Sequence, residues 1–139
     1  MNKSHRILCL DVGDVRIGVA VSDPTRTIAS PVEVIRRVGW GPDCRKIKEL
    51  CDRYETDTVL AGLPLNMDGS EGFQAAKVRE FCRQVEKQGL RIIFQDERLT
   101  TVAAEEALTE DGADMQERKK VVDKIAAALI LQQWLDAQH

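Results

Sequence analysis

Three carboxylates in this sequence stand where packing alone would prefer apolar side chains: Asp11, Glu97 and Asp123. Asp11 lies at the end of an apolar β-type run over residues 7–12, and Glu97 ends a second run over residues 90–97. Asp123 sits on a helical segment beside Ala126, Ala127 and Ile130, residues small enough to let a helix approach a sheet. A carboxylate at the end of a buried strand is costly unless a cation or a set of hydrogen bonds satisfies it. Held together, such acids repel one another, and a hard divalent cation removes that penalty. Oxygen-only ligands suit Mg²⁺ or Mn²⁺ rather than zinc. The chemistry that uses such a cluster is phosphodiester hydrolysis, with metal ions activating water and stabilising the leaving oxygen. Each acid also has a plainer use. Asp11 beside Gly13 can hydrogen-bond its own turn, Glu97 can pair with Arg98 or cap the next helix, and Asp123 can pair with Lys119 or Lys120 at the surface. Asp96 competes with Glu97 for the site, but neighbours on a strand point to opposite faces, so only one of them shares the face of Asp11.

The elements that must position these acids are legible from periodicity. Residues 7–12 and 17–21 are two apolar runs around a polar turn, Gly13-Asp14, and read as a β-hairpin. Alternation puts Ile7, Cys9 and Asp11 on one face of the first strand and Leu8, Leu10 and Val12 on the other. A third strand is expected over residues 27–35, with Pro31 favouring a sheet edge or a bulge. After the break Gly39-Trp40-Gly41-Pro42, Ile47, Leu50, Cys51 and Tyr54 form a helical stripe. A short buried strand over residues 57–63 follows, which suggests a parallel crossover. The loop over residues 64–72 is rich in turn residues and is read as a mobile segment able to close over a nucleic acid strand. Val78, Phe81, Cys82 and Val85 mark the next helix, ended by Gly89, before the fifth strand over residues 90–97. A helix is expected over residues 101–108, with Thr100 or Thr101 as its N-cap. Residues 109–117 read as polar and irregular, and the last helix as residues 118–137. That helix offers two overlapping faces, one through Val122, Ile125, Ala126, Leu129 and Gln133, the other through Asp123, Ala126, Ala127, Ile130 and Trp134. The order βββ-α-β-α-β-α-α implies an α/β fold. It has a mixed five-stranded sheet, three antiparallel strands plus parallel ones, flanked by helices.

Bulk composition narrows the function. A length of 139 residues suits one domain, and 43% hydrophobic with 31% charged residues is ordinary for a soluble globular chain. No apolar run reaches membrane-spanning length, and the N-terminus leads straight into a strand, so a cytoplasmic protein without a signal peptide is expected. Cys9, Cys44, Cys51 and Cys82 fall at core spacings without a CxxC pair, as reduced, buried side chains. A net charge of −3 supplies no general attraction to nucleic acid, so binding must use local basic patches. Arg16, Arg98, Lys119 and Lys120 are the candidate phosphate contacts; the alternative for each is a solvated charge, and for Lys119 and Lys120 the two readings weigh equally. Trp40 and Trp134 are candidates for base stacking, against ordinary packing near a helix end.

Four blocks of the chain resemble the YqgF/RuvX family of RNase H-like proteins, a family linked to maturation of precursor 16S ribosomal RNA and to Holliday-junction resolution. They are Asp11-Val12-Gly13 with Arg16-Ile17-Gly18-Val19-Ala20-Val21-Ser22-Asp23; Gly62-Leu63-Pro64 with Met67-Asp68-Gly69-Ser70-Glu71-Gly72; Asp96-Glu97-Arg98-Leu99-Thr100-Thr101; and Asp123-Lys124-Ile125-Ala126-Ala127 with Ile130-Leu131-Gln132. The family's acidic positions fall on Asp11, Glu97 and Asp123. The resemblance implies a single RNase H-like nuclease domain over residues 1–139, and a Mg²⁺- or Mn²⁺-dependent nuclease. Its substrate would be the 5′ end of precursor 16S ribosomal RNA in ribosome biogenesis, with ribosomal particles as partners and a monomer or weak dimer as its state. Two alternatives stay open: a resolvase of four-way DNA junctions, which would normally act as a symmetric dimer, and a non-catalytic RNA-binding module in ribosome assembly. The hairpin with its aspartate also resembles the phosphate loop of actin-like ATPases, but those bind nucleotide between two domains and this length supplies one.

Overall fold

The computed structural model describes residues 4–97 and 115–138, with side chains from residue 125 onward in the second stretch. Five strands and three helices occur there: β1 (Leu8–Val12), β2 (Arg16–Ser22), β3 (Ala29–Arg36), α1 (Trp40–Arg53), β4 (Thr58–Leu63), α2 (Phe73–Glu86), β5 (Arg91–Asp96) and α3 (Met115–Ala137). The sheet order is β3-β2-β1-β4-β5. β1 pairs antiparallel with β2, and β2 antiparallel with β3, while β4 runs parallel to both β1 and β5. The expected mixed sheet is therefore present, with β4 between β1 and β5 and β5 at one edge. β3 forms the other edge, where Pro31 costs no ladder hydrogen bond, and the register slips between Val19 and Ala20 opposite it.

Strand alternation divides the core into two layers. On one face Leu8, Leu10, Ile17 and Val19 pack with Ile47, Leu50 and Cys51 of α1 and Phe81 and Val85 of α2. On the other, Ile7, Cys9, Ala20 and Leu60 pack with Ala127, Ile130, Leu131 and Leu135 of α3. Of the two faces read along the last helix, the one through Ala127 and Ile130 meets the sheet, with Trp134 packed against it, while Gln133 is exposed. All four cysteines are buried, and none forms a disulfide. Pro42 falls in the first turn of α1, where its missing N–H is no loss, so the helix begins inside the expected break. Gly89 takes a left-handed φ of 86° just past α2, as expected of a helix-ending glycine.

Two expectations need correction. Helix α3 already includes Met115–Glu117, because Met, Gln and Glu are good helix formers that extend a helix ahead of its apolar stripe. The 64–72 segment is an internally braced hairpin rather than an open loop. Leu65 bridges Glu71, Asn66 N–H donates to the Ser70 carbonyl at 2.8 Å, and Ser70 N–H to the Asp68 carboxylate at 2.9 Å. Arg79 of α2 holds the Glu71 carboxylate through both of its oxygens and stacks 4.7 Å over Phe94. The helix expected over residues 101–108 and its Thr100 or Thr101 cap lie outside the described residues. Among the described residues no helix is long and apolar enough to cross a membrane.

Candidate active site

Asp11 and Glu97 meet at the carboxyl ends of β1 and β5, on the face covered by α3. The strand between them makes this possible. Leu8, Cys9 and Leu10 of β1 align with Val59, Leu60 and Ala61 of β4, which brings Asp11 level with Gly62, and Gly62 in turn pairs with Gln95 of β5. Glu97 carries the ladder one residue further, its N–H donating to the Leu63 carbonyl at 3.3 Å. Two strand spacings, roughly 10 Å, separate the backbones of β1 and β5, so the two side chains must lean together over β4. Gly62 leaves them the room. A Cβ at that position would lie 2.5 Å from Glu97 Oε2 and 2.7 Å from Ile130 Cδ1. The partner of Asp11 on its other side is also a glycine, Gly18. An isolated glycine within the apolar run Val59-Leu60-Ala61-Gly62-Leu63 was the available sequence signal for such a close approach.

The two carboxyl groups face each other within hydrogen-bonding reach, an approach that favours a proton on the pair. Burial, followed by the neighbouring charge of Asp11, pushes the Glu97 carboxyl well above the usual carboxylate range. Burial also raises Asp11, while its hydrogen bond from Glu97 acts to lower it. Glu97 is 9% exposed, and its Oε2 is a buried oxygen without a hydrogen-bond partner among the described residues. Beneath the pair Cys9 is fully buried, its thiol pushed far up by burial and then by the charges of Asp11 and Glu97. That side chain is a floor to the site and not a nucleophile.

Face parity resolves the competition between the adjacent acids. Ile93 packs on the α3 side and Ile92 and Phe94 on the opposite side, so Glu97 shares the face of Asp11 and Asp96 does not. Arg16 also stands on the α3 side, because Ile17 and Val19 belong to the α1–α2 layer and Ala20 to the α3 layer. Its side chain forms no hydrogen bond or ion pair among the described residues. Arg98 lies outside the described residues, as do the side chains of Lys119, Lys120 and Asp123. Helical spacing alone places position 123 one turn before Ala127 on the sheet-facing side of α3. Among the described residues no cluster of three metal-ligating side chains occurs.

A residue outside the sequence reading holds the turn that follows Asp11. The Arg37 guanidinium donates to the Gly13 carbonyl at 2.9 Å and to Asp43 at 3.3 Å, and stacks 4.7 Å over Phe81. Asp43 is buried and also accepts from the Val38 N–H at 3.1 Å. The hairpin turn is thus anchored to α1 and α2, and Asp11 with it.

The sheet order and flanking helices define an RNase H-like fold, shared with known nucleic-acid-processing enzymes. Across 96% of this chain and 94% of that protein, it superposes on Thermus thermophilus RuvC in complex with a Holliday junction substrate, with a TM-score of 0.58 at 16% identity. The fowlpox virus resolvase bound to Holliday junction DNA superposes with a TM-score of 0.53 at 15% identity, over 96% of this chain and 98% of the other. Sequence is more specific than shape here. The model of the family described as "RuvX: Holliday junction resolvase" matches residues 5–137, and the chain belongs to that family. A relative from Clostridium botulinum strain Hall, named "Putative pre-16S rRNA nuclease", is 48% identical over 133 residues, which are 95% of this chain and 97% of the relative. One of the same name from Clostridium tetani is 48% identical over 138 residues, 96% of this chain and 98% of the relative.

Proposed function

We propose that this protein is a divalent-metal-dependent nuclease that hydrolyses phosphodiester bonds in structured RNA, trimming precursor 16S ribosomal RNA at its 5′ end. The observation that carries the reading is the carboxyl pair itself. Two acids are pressed together over a glycine, with a buried oxygen of Glu97 that has no hydrogen-bond partner among the described residues. Structural carboxylates are normally paired with a cation or with hydrogen-bond donors. This pair fits a hard cation, which an all-oxygen donor set suits. Asp11 and Glu97 would hold Mg²⁺ or Mn²⁺, with Asp123 of α3 as the third acid, and the bound ion would supply an activated water and stabilise the leaving oxygen.

The chain's own residues prepare that chemistry. Burial holds the carboxyls of Asp11 and Glu97 above the usual range, so a cation binding there competes with protons, which ties metal affinity to pH. Arg16 stands on the same face, without a partner among the described residues, and would take a phosphate oxygen of the strand being cut. Arg98, Lys119 and Lys120 are assigned to the flanking phosphates. The name of the relatives favours ribosomal RNA as the substrate; action in the cytoplasm on ribosomal particles, as a monomer or weak dimer, belongs to the same proposal.

The test is cleavage of precursor 16S RNA and of a synthetic four-way junction, with Mg²⁺ or Mn²⁺ against chelator, by wild-type protein and Asp11→Asn. Metal-dependent RNA cleavage that Asp11→Asn lacks supports the proposal. Cutting of the junction alone would make the protein a resolvase, the reading the family description favours. Binding of RNA without cleavage would make it an assembly module.

A further inference from the structure

We propose that the hollow between Trp40 and Phe73 binds an unpaired nucleobase of the substrate strand near the cleavage site; this rests on the nuclease reading above. The hollow lies at the same end of the sheet as Asp11 and Glu97, but on the opposite layer. It sits where α1 and α2 begin, and holds about 420 Å³, within the range of small-molecule sites. Its aromatic walls are exposed: Trp40 is 48% and Phe73 76% accessible. The chain has only six aromatic residues, counting Phe, Tyr and Trp, so leaving two of them in solvent around one hollow is a costly use of them.

The charges around the hollow select the occupant. Arg37 and Lys77 are matched by Asp14 and Glu80, and Lys77 is already paired with Asp14 at 3.3 Å while stacking 4.5 Å over Phe73. A balanced lining is poor for a phosphate but suits a neutral planar ring with donors and acceptors along its edge. A nucleobase is such a ring. It can stack on Trp40 and Phe73, and donate from its amino groups to the carboxylates of Asp14 and Glu80.

Position ties the hollow to the active site. Asp14 is three residues beyond Asp11, so their Cα atoms are at most about 11 Å apart. The turn between them is anchored by Arg37, whose guanidinium both lines the hollow and holds the Gly13 carbonyl at 2.9 Å. A strand whose scissile phosphate lies at the carboxylates has its neighbouring nucleotides within reach of the hollow. Its duplex part cannot enter, because stacked and paired bases present no free face.

Two fluorescein-labelled RNA hairpins with the same stem provide the test, one with a single-stranded 5′ extension and one blunt. Binding is measured in EDTA, so that metal binding and hydrolysis play no part. Wild-type protein should prefer the extended hairpin. Trp40→Ala and Phe73→Ala should each weaken binding to it by about tenfold, leave the blunt hairpin unchanged, and leave the melting temperature unchanged because both rings are exposed. Trp40→Phe, which keeps a stacking face, should recover most of the affinity. Equal wild-type binding to both hairpins overturns the proposal and leaves the hollow to a side chain of a protein partner. Failure to bind either hairpin, or Ala variants that lose both equally, overturns it too. A preference for the extended hairpin in a protein that cleaves nothing with metal present would keep the base site while removing the nuclease reading.

Discussion

Adding one methyl group at Gly62 should damage the candidate metal site from beneath without touching either carboxylate chemically. The new Cβ would lie 2.5 Å from Glu97 Oε2, 3.1 Å from Glu97 Cδ and 2.7 Å from Ile130 Cδ1. Carbon atoms do not sit closer than about 3 Å to such neighbours, so both side chains must move. Ile130 is fully buried between sheet and helix, and its displacement disturbs the α3 layer of the core. Overpacking of this kind costs about 1–3 kcal/mol, offset by about 0.4–1 kcal/mol from the stiffer unfolded chain of Ala relative to Gly. Gly62→Ala should therefore lose about 1–2 kcal/mol, a fall in melting temperature of about 3–6 °C for a domain of this size. Glu97 is pushed away from Asp11, and Mn²⁺ affinity by calorimetry should fall by about 10–100-fold, the usual effect of disturbing the support of a metal ligand. A double-mutant cycle with Glu97→Ala separates the two contacts. Removing the Glu97 side chain relieves its share of the clash, so the pair should be coupled by about 1 kcal/mol. Destabilisations that add within about 0.5 kcal/mol, together with unchanged Mn²⁺ binding, would refute the idea that Gly62 exists to let the carboxylates meet.

Three further outcomes are expected. Asp11→Asn should abolish metal-dependent cleavage while keeping the fold, and should raise the melting temperature of the metal-free protein, since the amide relieves charge at a buried position; cleavage at the wild-type rate would remove Asp11 from the site. Metal-free protein should lose stability as pH rises from about 4.5 through neutrality, because the folded chain keeps on Glu97 a proton that the unfolded chain has released. Glu97→Gln, which cannot release that proton, should flatten this slope in urea titrations, and a slope that persists unchanged would count against a proton on the pair. Arg37→Ala should cost about 3 kcal/mol, because it strips the buried Asp43 of its cation and the Gly13 turn of its anchor; a loss under about 1 kcal/mol in the same titrations would mean water replaces the guanidinium.

Much of this protein is written locally in its sequence. The alternation Ile7-Leu8-Cys9-Leu10-Asp11 determined which face Asp11 occupies, and the same period at the end of β5 separated Glu97 from Asp96, because a period of two needs no knowledge of distant chain. The stripe Val78, Phe81, Cys82 and Val85 likewise determined the buried side of α2, and Gly89 its end. What periodicity cannot carry is which strands become neighbours and how close their side chains come. That β4 lies between β1 and β5 was decided only when residues some 50 positions apart paired, and it turned Gly62 from an apolar-strand oddity into the gap over which two acids meet. The bracing of residues 64–72 depended on Arg79 reaching back to Glu71, and the anchoring of the Gly13 turn on Arg37 finding Asp43 and Phe81. Trp40 and Phe73 are 33 positions apart, and only the shared end of the sheet brings the starts of α1 and α2 together to make a hollow between them. Local propensity selects elements and faces; long-range pairing sets the distances on which chemistry depends.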